Sequence, residues 1–99
     1  MSNATYNANR LNRIMTARRS NPATAGYDDG FEFGVNLGCD NKPLRGAKVG
    51  RYADPRWRKS LTYRTHFERA AREAHPIGLE LFEDQQWEKD FMEWEKALS

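Results

Sequence analysis

The chain has only one cysteine and no long apolar run, and both features limit the cellular compartments in which it can function. With Cys39 alone, no disulfide can form within the chain, which favours a reducing compartment. No stretch approaches the roughly 18 uninterrupted apolar residues of a membrane-spanning helix. The Asn- and Arg-rich beginning lacks the apolar core of a signal peptide. We therefore expect a cytoplasmic protein that does not enter a membrane.

Hydrophobic residues are also scarce, at 38% of the 99 positions. Five Phe, four Tyr and three Trp residues compensate, because each aromatic side chain can bury a large area. A core of this size gives only marginal stability. We expect one small domain that covers residues 1–99.

No pattern of catalytic or metal-ligating residues is present. Cys39, His66 and His75 are too scattered for a zinc signature. Cys39 and a histidine could form a nucleophile pair, but no neighbouring residue supports one. We therefore predict that the protein is not an enzyme and has no metal site and no cofactor.

Charge is arranged in alternating blocks, although the net charge is only +2. Residues 1–20 carry four arginines and no acid, and residues 42–75 carry ten Lys or Arg against three acids. Residues 21–41 and 76–99 are acidic. The blocks can neutralise one another within the fold, or the basic block can form a positive face for nucleic acid or an acidic protein.

Four glycines that stand four residues apart form the most informative pattern. Residues with this spacing share one face of an α-helix, so a helix from about Pro22 to Gly38 carries a bare groove. Each interior glycine weakens a helix by roughly 0.8–1 kcal/mol relative to alanine. We therefore expect a backbone to pack there, from another helix of this chain, a sugar-phosphate chain or a second copy. The glycines of this helix-packing groove are Gly26, Gly30, Gly34 and Gly38.

Two further segments have the pattern of a helix bounded by proline. Residues 1–20 predict a short basic helix that ends before Pro22, because the residue before proline avoids helical geometry. A third helix is expected from a cap at Asp54 to Ala74, with Pro55 in its first turn and an end before Pro76.

The last helix is predicted over residues 82–98. It is acidic and amphipathic, and its apolar side consists of Trp87, Phe91, Trp94 and Leu98. Together the segments predict an all-α fold, a compact three- to four-helix domain with a basic loop between helices 2 and 3.

Aromatic residues are interleaved with the cations of this loop and of the segment that follows it. Lys and Arg can neutralise phosphates while an aromatic ring stacks on an exposed base, which contributes about 1–3 kcal/mol per base. The alternative is a solvated face whose aromatic rings lie in the core. The predicted nucleic-acid-binding residues are Arg45, Lys48, Arg51, Tyr52, Arg56, Arg58 and Lys59, with Tyr52 as the candidate for stacking.

Part of the chain resembles the ribosome modulation factor family. The motif Gly26-Tyr27-x-x-Gly30, with Cys39 twelve positions after the tyrosine, is similar to the core of that family. The family has a basic N-terminal helix, then this glycine helix, a Cys-Pro-Tyr turn and a second helix with Trp and an Arg-Glu-Ala end. Here the basic segment contains Arg10, Arg13, Arg18 and Arg19, and the second helix would contain Trp57 and Arg72-Glu73-Ala74.

The chain also departs from that pattern. Asp40-Asn41 stands where the family has Pro-Tyr, the loop is longer, and the acidic C-terminal segment has no counterpart. The resemblance implies an all-helical fold that binds ribosomal RNA and silences translation.

Three functional hypotheses follow. The first is a small regulatory protein that contacts structured RNA or a ribonucleoprotein. The second is a small phage-type inhibitor that docks on a host protein or defence complex, with Trp87, Phe91 and Trp94 as anchors if the core cannot bury them. The third is a homodimer joined through the glycine groove.

Overall fold

The computed structural model describes residues 18–98, and within this range the fold is all-α. It consists of helix α1 (Pro22–Cys39), a short 3₁₀ turn η1 (Gly50–Tyr52) and helix α2 (Leu61–Leu98), with no strand among the described residues. Arg18 and Arg19 are also helical. The rest of the predicted basic N-terminal helix lies outside the described residues.

Helix α1 confirms the prediction made from the glycine spacing. It begins one residue after Asn21, whose side-chain oxygen accepts a hydrogen bond from the Ala23 N–H at 2.9 Å. Pro22 occupies the first position, where its missing N–H leaves no hydrogen bond unmade.

Helices α1 and α2 lie side by side and run in the same direction. The α1 glycines meet the α2 backbone at a constant offset, from Gly26 beside Tyr63 to Gly38 beside His75. Gly30 lies beside Phe67, and Gly34 lies beside Ala71. Beyond Tyr63 and Phe67, the buried residues of α2 are small. They are Ala70, Ala71, Ala74 and Gly78.

The predicted number of helices is wrong. The third and fourth predicted helices are one continuous helix of 38 residues that passes through Pro76, so the described residues contain two α-helices where three were expected. An interior proline costs about 3 kcal/mol. Packing on both sides of it offsets this cost, because Gly38 lies against the backbone of His75 and Leu79. The His75 ring also donates from Nε2 to the Lys42 carbonyl at 2.7 Å.

The predicted start of this helix is wrong as well. Helix α2 begins at Leu61, after a series of turns over residues 55–59. Ser60 accepts a hydrogen bond from the Tyr63 N–H at 3.3 Å, as a capping residue does. Asp54 instead accepts from Arg19 and from the Arg56 N–H, so its carboxylate is used within a turn.

The fold is not compact, because α2 is far longer than α1. At 1.5 Å per residue, the 38 residues of α2 span about 57 Å and the 18 residues of α1 about 27 Å. The contact between them reaches Leu79. Every residue of the range 83–98 is exposed. The C-terminal half of α2 therefore extends beyond the core.

Residues 40–60 return the chain from the end of α1 to the start of α2, and we call them the connection. Two of its turns have positive φ at glycine, 79° at Gly46 and 53° at Gly50. The connection packs along the two helices and covers the core, which contains Phe33, Tyr63 and Phe67. Its side chains against this core are Leu44, Ala47, Val49, Tyr52, Ala53 and Trp57.

Candidate nucleic-acid interface

The predicted cations lie on the outer side of the connection. Because the apolar side chains of this segment face the core, its basic side chains are left in solvent. The exposed cations of the predicted site are Arg45, Lys48, Arg51, Arg56, Arg58 and Lys59.

Two grooves between the connection and α2 group some of these cations with arginines of α2. Arg45 and Arg72 line a groove of about 460 Å³, and Arg58 and Arg64 line a second groove of about 360 Å³. The grooves adjoin, since Val49, Phe67 and Glu68 line both of them. We call Arg45, Arg58, Arg64 and Arg72 the arginine face.

Glu68 is the one acid among the described residues that line these two grooves. Four arginines against this one carboxylate leave an excess of positive charge along the two grooves, which is suited to phosphate oxygens. Arg64 and Arg72 were not among the predicted site residues. The sequence pattern that could have identified them is the four-residue spacing of Arg64, Glu68 and Arg72, which places all three on one face of a helix.

Arg51 lies elsewhere, in a more acidic groove. That groove, of about 590 Å³, also contains Glu32 and the carboxylates of Asp29 and Asp54, with Arg19 between them. Nearby carboxylates repel phosphate, so the structure separates Arg51 from the arginine face.

Two aromatic residues of the connection are partly used by the fold. The Tyr52 ring is half-buried and packs on Phe33, with ring centroids 5.4 Å apart. Trp57 donates from its indole N–H to the Arg19 carbonyl at 2.8 Å, and the Arg56 guanidinium lies 4.7 Å from its ring centroid. Tyr52 is thus less accessible for base stacking than the sequence suggested, while Arg56 remains exposed.

The glycine groove is filled by α2. A methyl group built on any of the four glycines would lie under 3.0 Å from backbone atoms of α2. In this arrangement the groove is open neither to a sugar-phosphate chain nor to a second copy, so a homodimer joined through it is not compatible with the fold.

A partly buried ionic network beside the glycine groove was not predicted. Asp29 is only 7% exposed, and it accepts two hydrogen bonds from the Arg19 guanidinium, at 3.0 and 3.1 Å. Arg19 also contacts Asp54 at 2.8 Å. The Tyr63 hydroxyl donates to Asp29 at 2.6 Å and accepts from the Asp54 N–H at 2.8 Å. The network ties the segment before α1 to both helices and the connection.

The network changes the proton affinity of Tyr63. Burial and the hydrogen bond to Asp29 raise the pKa of the Tyr63 phenol well above its usual value. The folded chain therefore holds this proton more tightly than the unfolded chain. This contribution to stability is complete below the unfolded pKa of about 10 and is lost as the pH rises further.

A second polar contact joins α1 to α2. The Tyr27 hydroxyl of the Gly-Tyr-x-x-Gly motif donates to Glu73 of the Arg-Glu-Ala motif at 2.9 Å. This hydrogen bond raises the pKa of Tyr27 above its usual value. Trp57 lies in the turns before α2 and not within the second helix.

Metal ligands, membrane spans and similarity to known proteins were each sought. Among residues 18–98, no group of three or more His, Cys, Asp or Glu side chains is placed to hold a metal ion. No helix in that range has both the length and the apolar character needed to cross a bilayer. No protein-family model, curated protein or solved structure matches the chain.

Proposed function

We propose that this chain is a small, non-enzymatic, cytoplasmic regulatory protein that binds structured RNA or a ribonucleoprotein. In this proposal it silences translation in the manner of the ribosome modulation factor family. The arginine face makes the main phosphate contacts, and the exposed cations of the connection extend it. No cofactor takes part.

The observation that carries the proposal is the grouping of arginines from two elements on one packed surface. Arg45 and Arg58 come from the connection, and Arg64 and Arg72 come from α2. The apolar side chains of the connection pack on the core, so the backbone that carries Arg45 and Arg58 is held beside α2 before RNA binds. Less ordering entropy is then lost on binding than for a flexible basic tail.

The contact between Tyr27 and Glu73 also supports the proposal. It places the two motifs that carry the family resemblance against each other, in helices that pack through glycine.

The first test is the salt dependence of RNA binding. We expect the affinity for a structured RNA hairpin, measured by fluorescence anisotropy, to fall steeply with salt, because each phosphate contact releases counterions. The double variant Arg45→Gln/Arg58→Gln should bind more weakly and lower the log–log slope by about 2, one for each lost phosphate contact.

The matched control is Lys89→Gln, which removes an exposed cation from the far half of α2. It should leave affinity and slope unchanged. A salt-independent affinity, or an equal loss in the control and the double variant, would contradict the RNA proposal.

A second function has its own supporting observation. The anchors of the inhibitor hypothesis, Trp87, Phe91 and Trp94, are all exposed on the half of α2 that extends beyond the core. We propose docking on a host protein as the alternative to RNA binding. A pull-down from nuclease-treated lysate separates the two: retention of one protein without RNA favours docking, and loss of every partner favours RNA.

A further inference from the structure

Four large apolar side chains line one side of the extended half of α2. Trp87, Phe91, Trp94 and Leu98 are 67%, 41%, 57% and 69% exposed. Their spacing of four, three and four places them in one narrow row, which we call the aromatic stripe. The Trp87 and Phe91 rings are stacked at 5.3 Å, and the Phe91 and Trp94 centroids are 5.7 Å apart.

The described part of the chain does not cover this stripe. Helix α1 ends at Cys39, and Gly38 near this end lies against Leu79, two turns before Trp87. A continuous exposed row of this kind is typical of an interaction surface.

The charges beside the stripe all have the same sign. On a helix, the side chains three and four positions from a residue are its neighbours. Every charged neighbour of the stripe is an acid, and these are Glu83, Asp84, Glu88, Asp90 and Glu95. Lys89 instead neighbours Met92 and Glu93, on the other side of the helix.

This pattern indicates what kind of partner fits. A row with alternating spacings of three and four is the seam of a coiled coil, so a second helix matches it. Two copies of this helix would bring acids opposite acids in either orientation, and like charges across an interface are repulsive. The stripe therefore disfavours a second copy and favours a partner with basic flanks.

We propose that the aromatic stripe binds an amphipathic helix of another protein, whose apolar side is flanked by lysine and arginine. This inference rests on the protein-docking function and names the chemistry of the partner. Its test uses purified components, so its failure and the failure of docking in lysate are distinguishable.

The test measures binding of designed peptides to the full chain by fluorescence anisotropy. The first peptide is a helix with a leucine row flanked by lysines. The second has glutamates in place of those lysines, and the third has the composition of the first in scrambled order. We expect the first peptide to bind, and the second and third to bind at least about tenfold more weakly.

Two variants locate the binding. Trp87→Ala/Trp94→Ala should weaken binding of the lysine peptide by about tenfold or more, as truncation of two aromatic anchors does at interfaces. Met92→Ala removes another exposed apolar side chain of the same helix, off the stripe, and should have little effect. Since all three side chains are exposed, thermal unfolding should be unchanged in both variants.

Charge reversal gives a readout that loss of folding cannot imitate. Glu83→Lys/Glu88→Lys/Asp90→Lys should transfer the preference from the lysine peptide to the glutamate peptide. Equal binding of the scrambled peptide, or undiminished binding by the tryptophan variant, would overturn the proposal. Self-association through the stripe in sedimentation equilibrium, or partition of the stripe into zwitterionic vesicles, would overturn it in favour of a second copy or a lipid surface.

Discussion

Replacement of Gly30 by leucine should leave the chain without a cooperative folded state. Any side chain at this position would collide with the backbone of Phe67, since even its first carbon lies under 3.0 Å from the oxygen, carbon and Cα atoms of that residue. Added carbons in a packed interior cost about 1–3 kcal/mol, and more where the neighbour is backbone that cannot rotate away. Far-ultraviolet circular dichroism in a urea titration should show no unfolding transition.

The alanine variant gives a measurable version of the same effect. Gly30→Ala gains roughly 0.8–1 kcal/mol of helix propensity, yet we expect a net loss of about 1–3 kcal/mol because the two helices must separate. Glu32→Ala, an exposed change two residues away, is the control and should stay within about 0.5 kcal/mol of the wild type. A Gly30→Ala protein at least as stable as the wild type would refute the close helix contact.

The second large effect concerns the buried carboxylate. Asp29→Ala should lower the free energy of unfolding by about 3 kcal/mol, because it removes the acceptor of two Arg19 hydrogen bonds and of the Tyr63 hydroxyl. Urea unfolding at neutral pH measures the loss.

Asp28→Ala is a matched control one residue away. Asp28 pairs with Arg18 in a contact that is largely in solvent, and such pairs contribute about 0–1 kcal/mol. Tyr63→Phe should cost less than Asp29→Ala, and the two changes should be non-additive because they share one hydrogen bond. Equal losses for Asp28→Ala and Asp29→Ala would show that the buried network does not stabilise the fold.

Local spacing was sufficient to predict α1 and its bare face. The four glycines follow the helical repeat within a short stretch of sequence, so the helix can be recognised without knowing its tertiary contacts. The proline at its start and the glycine near its end are also local signals. The all-α class followed from the same periodicity. The spacing did not identify what packs on this face, because each glycine meets a residue 37 positions further along the chain.

Local rules failed where tertiary contacts decide the structure. Pro76 predicts a break from its own geometry, but the helix continues where Gly38 packs on both sides of it and His75 bonds to the Lys42 carbonyl. Asp54 before Pro55 has the sequence of a helix start, but its carboxylate is held by Arg19, 35 positions earlier.

Tertiary contacts also explain why only part of the candidate site could be predicted. Composition identified the basic connection, but it could not show that Arg51 lies among carboxylates or that Tyr52 packs on Phe33. Nor did it join Arg45 and Arg58 to Arg64 and Arg72, since those neighbours are set by how the connection folds over α2.

The parallel arrangement of the two helices has a consequence for the kinetics of folding. Adjacent helices in bundles commonly form hairpins, whose first contacts close only a short loop. Here each glycine meets a residue 37 positions away, so the whole connection must be brought around before any interhelical contact forms. Because folding rates fall as the sequence separation of native contacts rises, this chain should fold more slowly than a helical hairpin of equal length.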